Sequence, residues 1–202
     1  MTIEITAIQL IAIICGYLLG SIPFGLVLTR FTKKEDIRKI GSGNIGATNV
    51  LRTGNKMLAL ATLLLDTGKG AAAALTVSYF DPLAGIIAGG FSVIGHNFPI
   101  WLKFKGGKGV ATTLGVLLAL AWPVGLSVCA VWILTVSFFR ISSLAALVAL
   151  SISPVIAWWL THDFELTVLA TILAFTSTLR HRQNINRLIR GQEPKIGTKK
   201  SS

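Results

Sequence analysis

Long apolar runs alternate with short polar segments along this chain. A helix that crosses a bilayer needs about 20 apolar residues, and the runs reach that length repeatedly. Residues 5–29, 57–80, 83–100 and 141–160 read as spans, and 165–179 as a shorter last one. Pro23 sits inside the first and predicts a kink near its end. Asp81-Pro82 makes a tight break after the second, and Thr161-His162-Asp163-Phe164 a turn before the last. The run 110–139 holds 30 residues with Pro123 near its middle. As one helix it would be ~45 Å long, against a hydrocarbon core of ~30 Å. It is therefore either one tilted, kinked helix or two segments that enter and return.

Charge placement decides between these. Basic residues gather on the cytoplasmic side of membrane proteins. With 110–139 turning back there are seven segments, and 18 of the 19 Lys and Arg residues share one side, leaving Lys69 inside a span. The other side receives Glu4, Asp81, His162, Asp163 and Glu165. The expectation is an all-α, polytopic membrane helix bundle of about seven segments, N-terminus out and C-terminus in. It forms a single domain over 1–202, with three cytoplasmic segments at 30–56, 95–109 and 180–196.

Composition agrees. The chain is 52% apolar and 13% charged, with a mean hydropathy of +0.71 and a net charge of +11. That excludes a disordered chain and fits a soluble domain poorly. Nucleic-acid binders wear their charge on a polar surface; here it sits in clusters between apolar runs, so no nucleic-acid partner is expected. Cys15 and Cys129 both fall in apolar runs, where two isolated thiols make neither a disulfide framework nor a zinc site. The first run carries Glu4 in place of a basic leader and exceeds the ~7–15 residues of a signal h-region. It reads as an uncleaved helix. The end of the chain, from Gly197 on, is small and polar and reads as a disordered tail.

The three polar segments hold nearly all the chemistry. The first contains KIGSGNIGATNVLR (39–52). Gly41, Gly43 and Gly46 match G-x-G-x-x-G formally, but that fingerprint needs a preceding strand, and here an apolar helix precedes it. The physics of glycine loops still applies: backbone N–H groups converge on an anion beside a helix N-terminus. Ser42 and Thr48 offer hydroxyl donors, Asn44 and Asn49 amides, and Arg52 a bidentate fork for phosphate. The plain alternative is a flexible polar loop. Lys33, Lys34, Arg38 and Lys39 fit topogenic charges or contacts to anionic lipid.

The second segment is GHNFPIWLKFKGGKG (95–109). Lys105, Gly106, Gly107 and Lys108 have the composition of a phosphate cradle. It is not a Walker A loop, because Leu102 occupies the place of the first glycine and Gly109 that of the Ser or Thr. His96 and Asn97 lie near the membrane interface, and Trp101 and Phe104 suit an aromatic belt. In the third segment, RHRQNINRLIR (180–190), His181 and Asn184 share a helix face. An amphipathic basic helix on the inner leaflet explains the arginines but not that pair. Asp66 and Lys69, three apart inside a span, can meet; a mid-bilayer charge costs roughly 2.5–3.5 kcal/mol on insertion scales. The pair reads as a structural clamp or as part of an ion path. Ser142 and Ser143 stand at the inner end of a span.

These three motifs in this order, with LDTGKG in the second span, resemble the bacterial acyl-phosphate:glycerol-3-phosphate acyltransferase family (PlsY) along nearly the whole chain. The resemblance implies a multi-pass enzyme of the bacterial inner membrane with its active site facing the cytoplasm. It would transfer a fatty acyl group from acyl phosphate to the 1-hydroxyl of glycerol 3-phosphate, giving lysophosphatidic acid and inorganic phosphate. By resemblance Ser42, Arg52, Lys108, His181 and Asn184 bind the substrate phosphates and the developing oxyanion. Gly41, Gly43, Asn44, Thr48, Asn49 and Lys105 line the substrates, and Gly106 and Gly107 supply backbone N–H donors. The proton of the attacking hydroxyl goes to His181 or to a phosphate oxygen of a bound substrate. Membrane lipids are the surrounding partner.

The residues themselves fit that chemistry. Acyl phosphate is already activated, and the sequence has no G-x-S-x-G elbow and no cysteine in a loop. The HxxxxD pattern of other glycerolipid acyltransferases is missing: Trp101 and Asn186 stand where the acid would follow His96 and His181. No metal or cofactor is implied, since Glu35, Asp36 and Glu193 are scattered. The rival class is a membrane transporter for an organic phosphate, built on broken helices and a basic vestibule.

Overall fold

The computed structural model describes residues 6–32 and 36–197. Glu4, Lys33, Lys34, Glu35 and the tail from 198 on lie outside the described residues. Ten α-helices follow one another, and no strand occurs among the described residues: α1 Ala7–Gly20, α2 Phe24–Phe31, α3 Ala47–Leu51, α4 Lys56–Ser78, α5 Pro82–Asn97, α6 Val110–Leu120, α7 Trp122–Phe139, α8 Ser142–Thr161, α9 Phe164–Arg180 and α10 Arg182–Ile189.

Among the described residues five stretches are long and apolar enough to cross a membrane: Ala7–Phe31, Lys56–Ser78, Pro82–Leu102, Trp122–Phe139 and Ser142–Thr161. Many of their large side chains, Leu64, Leu75 and Val155 among them, point outward, as does Phe175 of α9; lipid-facing residues do the same. α6 is a shorter apolar helix of 11 residues, and α9 has 17.

Local chemistry sets the ends. Asp81 accepts the Ala84 N–H at 2.7 Å with Pro82 in the first turn, and Asp163 accepts the Leu166 N–H at 2.8 Å. Both are N-caps, whose side chains satisfy an orphan N–H of the first turn. The first span breaks outright over 21–23 rather than bending at its end, because Pro23 brings no N–H to continue the ladder. The 110–139 run divides at Ala121, one residue before α7 begins. Gly125 lies against the backbone of Leu118, so the corner is tight.

The chain forms two compact units that divide between Gly125 and Leu126. In the first, α1 packs on α5, and α4 on α5 and α6. The contacts are made by small residues: Gly16 and Gly20 meet the backbone of Ala88 and Ser92, while Gly70 and Gly115 meet that of Thr112 and Thr67. Between membrane helices, where apolar burial drives little, such close approach supplies the packing. At one end of this unit Leu26, Ile37, Ile45, Val50, Leu58 and Ala59 form a core, with Leu28 and Leu102 packed against it. That core seats the first polar segment on α2 and α4 and draws Leu102, from the second segment, to the same cluster. In the second unit α8 packs on α9.

Candidate active site

The first polar segment is organised by one buried amide. Asn49 is 1% exposed. Its Oδ1 accepts the Ser42 N–H at 3.1 Å, the Ser42 hydroxyl at 3.3 Å and Arg52 Nη1 at 3.4 Å. Its Nδ2 donates to the Ile37 and Asn44 carbonyls at 2.7 and 2.8 Å. Asn49 thus gathers Ser42 and Arg52 and has no donor to spare for a ligand. Gly41 and Gly43 have φ of +56° and +69°, the left-handed region in which a side chain is strained. A Cβ on Gly41 would press on Asn49 Oδ1 and on the Arg52 side chain. Ser42 and Arg52 themselves are exposed. At the segment's entry Asp36 accepts from Arg38 Nη2 at 2.6 Å. That hydrogen bond lowers the carboxyl to about 2.

The second segment corrects one expectation. The N–H groups of Gly106 and Gly107 do not point outward for a ligand; they donate to the carbonyls of Asn97 and His96 at 3.2 and 3.0 Å. The two glycines are small for another reason. A Cβ on Gly106 would overlap the His96 carbonyl and Pro99, and one on Gly107 the His96 imidazole. The loop is clamped against the end of α5. Lys105 is exposed and Lys108 partly buried, and Gly109 (φ +75°) turns the chain into α6.

Behind this loop lies the intramembrane pair. Lys69 Nζ is 2.8 Å from Asp66 Oδ1, donates to the Ile22 carbonyl at 2.7 Å, and stands 5.6 Å over the Phe24 ring. His96 Nδ1 faces the same Asp66 oxygen at 3.6 Å.

In the second unit His181 and Asn184 are both buried, 2% and 3% exposed. His181 Nδ1 lies 2.8 Å from the Ser177 carbonyl. A carbonyl only accepts, so the neutral imidazole carries its proton on Nδ1 and its lone pair on Nε2. Asn184 Nδ2 donates to Glu193 Oε1 at 2.5 Å, Ser143 Oγ donates to the same oxygen at 2.8 Å, and Arg187 Nε donates to Oε2 at 2.6 Å. Burial raises the Glu193 carboxyl, but these hydrogen bonds and the Arg187 charge outweigh it and hold the group below its ordinary value. Ile196 is then tied to Arg140 by one backbone and one side-chain bond: its N–H donates to the Arg140 carbonyl at 2.7 Å, and Arg140 Nη2 donates to its carbonyl at 3.1 Å. Glu193 reads in sequence as a stray acid. The only hint is a carboxylate a few residues beyond Asn184 and Arg187.

The family described as "Glycerol-3-phosphate acyltransferase" matches residues 10–191. This chain belongs to that family. A glycerol-3-phosphate acyltransferase of Rhodospirillum rubrum is 59% identical over 198 residues, covering 94% of this chain and 91% of the relative. One from Paramagnetospirillum magneticum is 58% identical and covers 93% of each. Among solved structures, PlsY, an integral membrane glycerol 3-phosphate acyltransferase crystallised in its glycerol 3-phosphate form, superposes with a TM-score of 0.89 at 37% identity, covering 94% of this chain and 96% of PlsY. Its lysophosphatidic acid form superposes with a TM-score of 0.87. The PlsY resemblance carried by the motifs is therefore that of a true member.

Proposed function

We propose that this chain transfers a fatty acyl group from acyl phosphate to the 1-hydroxyl of glycerol 3-phosphate, giving lysophosphatidic acid and inorganic phosphate. The reaction takes place in the bacterial inner membrane, with the chemistry on the cytoplasmic side of a seven-segment bundle whose N-terminus is outside. The observation that carries the reading is the Ser42–Asn49–Arg52 constellation. A buried amide presents a hydroxyl and a guanidinium together, in a chain whose family acylates a phosphate-bearing alcohol. The glycerol 3-phosphate and lysophosphatidic acid forms of PlsY match the acceptor and the product.

The mixed anhydride needs no enzyme-bound acyl intermediate. The glycerol hydroxyl oxygen bonds to the acyl carbon, the bond between that carbon and the bridging oxygen breaks, and the bridging oxygen leaves as part of inorganic phosphate. Catalysis is then positioning and charge stabilisation. Ser42, Arg52, Lys108, His181 and Asn184 bind the substrate phosphates and the developing oxyanion; Gly41, Gly43, Asn44, Thr48, Lys105, Gly106 and Gly107 shape the loops around the substrates. Asn49 acts through Ser42 and Arg52. The hydroxyl proton passes to His181 Nε2 or to a substrate phosphate oxygen, and His181→Gln distinguishes the two: a general base contributes about 10²–10⁴, so a loss under tenfold assigns the proton to phosphate.

The deciding experiment is phosphate release from acyl phosphate by the purified protein in detergent, with and without glycerol 3-phosphate. Release that depends on the acceptor and yields acylated glycerol phosphate supports the reading. Substrate movement across vesicles without release supports the transporter instead.

A further inference from the structure

We propose that the buried Asp66–Lys69–His96 cluster is a positioning device for the glycine loop: Lys69 holds Asp66, Asp66 faces the His96 imidazole, and that imidazole is the surface on which Gly107, and through it Lys108, is seated. The inference rests on the assignment of Lys108 to substrate phosphate.

The three side chains are buried together: Lys69 Nζ lies 2.8 Å from Asp66 Oδ1, and His96 Nδ1 faces that oxygen at 3.6 Å, an electrostatic contact longer than a hydrogen bond. Asp66 is 2% exposed, Lys69 4% and His96 5%. A charge pair at such depth costs several kcal/mol of desolvation, and an apolar replacement is often as stable. Holding two helices together therefore does not require it. What the cluster does that apolar residues would not is connect particular places. Lys69 reaches the Ile22 carbonyl, in the break from which α2 leads toward the first polar segment. Asp66 Oδ1 faces His96 Nδ1, in the last turn of α5, at 3.6 Å. His96 then meets the loop twice. Its carbonyl accepts the Gly107 N–H at 3.0 Å. Its ring fills the space beside Gly107 Cα, where an added methyl would overlap Nε2 and lie 2.8 Å from Cδ2 and 3.0 Å from Cε1. All three nearest atoms belong to the ring. Gly107 is thus small because of His96. Lys108, the next residue, takes its direction from a peptide fixed by that contact.

The geometry predicts an asymmetry that a merely structural histidine would not produce. Gly107→Ala drives a methyl into the ring and displaces either the loop or the imidazole. In a His96→Ala background the same methyl has room. The test is a double-mutant cycle on the full-length protein in detergent, reading kcat, KM for each phosphate substrate and the unfolding temperature. His96→Ala and Gly107→Ala are each expected to raise KM for one phosphate substrate about tenfold, with a smaller change in kcat. The double variant is expected to be within about twofold of His96→Ala alone, because contacting sites are non-additive. Equal costs of Gly107→Ala in both backgrounds would mean that Gly107 is small for the substrate, and would overturn the proposal.

If His96→Ala does not fold, His96→Gln takes its place in the cycle. Asp66→Ala with Lys69→Ala, which removes both charges together, is expected to raise the same KM; an unchanged KM in a folded double variant overturns the role of the pair. A wild-type protein without acyltransferase activity would count against the proposed reaction and not against this coupling. In that case the cycle is read from stabilisation by inorganic phosphate, expected to be lost in His96→Ala; stabilisation that survives in every variant, or is absent from the wild type, overturns the proposal.

Discussion

Asn49 shows how much one side chain can organise. Its oxygen takes three donors and its nitrogen serves two carbonyls. Asn49→Asp keeps the acceptor and loses both donations. It is expected to leave the Ile37 and Asn44 carbonyls unsatisfied at about 1–3 kcal/mol and to reduce turnover nearly as far as Asn49→Ala. Thermal unfolding and phosphate release measure the two effects. Arg52→Ala removes the fork itself; turnover is expected to fall to background while the protein still inserts and purifies as the wild type does. Lys108→Arg is expected to restore only part of the activity of Lys108→Ala, because a planar guanidinium does not fit where a compact ammonium follows Gly107.

Between elements, the decisive contacts are made by backbone and by small or charged side chains. Gly20 in α1 and Gly68 in α4 are both helical glycines with opposite surroundings: a methyl on Gly20 would overlap the Ser92 carbonyl, whereas Gly68 has nothing within 4 Å. Gly20→Ala is expected to force α1 from α5 and cost about 1–3 kcal/mol. Gly68→Ala should be neutral or slightly stabilising, since alanine favours the helix by about 1 kcal/mol. Unfolding temperatures in detergent compare them. In the second unit Glu193 ties α10 to the start of α8 through Asn184, Arg187 and Ser143. Its folded carboxyl lies below the ordinary value. The stability it contributes is therefore present above the unfolded glutamate value and is lost as pH falls through the folded one. Acidification below pH ~4 is expected to lower the unfolding temperature of the wild type more than that of Glu193→Gln.

At the scale of the whole molecule, we propose the seven-segment topology with N-terminus out and C-terminus in. The break at Ala121 turns one over-long apolar run into α6 and α7, the division that the proposed seven-segment topology requires. With Cys15 and Cys129 replaced, single cysteines at Thr53 or Lys105 are expected to resist an impermeant thiol reagent applied from outside, while cysteines at Asp81 or His162 react. Labelling of Thr53Cys from outside would reverse the orientation and remove the site from the cytoplasm.

The alternation of helices and polar segments was legible because it follows from local properties. Apolar length sets a span, proline stops a hydrogen-bond ladder at Pro23, and a short acid caps a helix at Asp81 and Asp163. The Asp66–Lys69 contact was legible for the same reason, since three residues on a helix is a fixed distance. The motifs likewise carried the family. Other partnerships had no local sign: Asp66 with His96, 30 positions on, Asn49 with the Ile37 carbonyl, and Glu193 with Ser143. The use of the Gly106 and Gly107 N–H groups by α5 was equally hidden. A buried polar group must find its partner wherever packing brings one, and which residues packing brings together is settled by helix–helix contacts far apart in the chain. Sequence alone therefore determined the apolar helices and the chemistry available at their ends; tertiary structure decided which of those groups bond to one another and hold the loops in place.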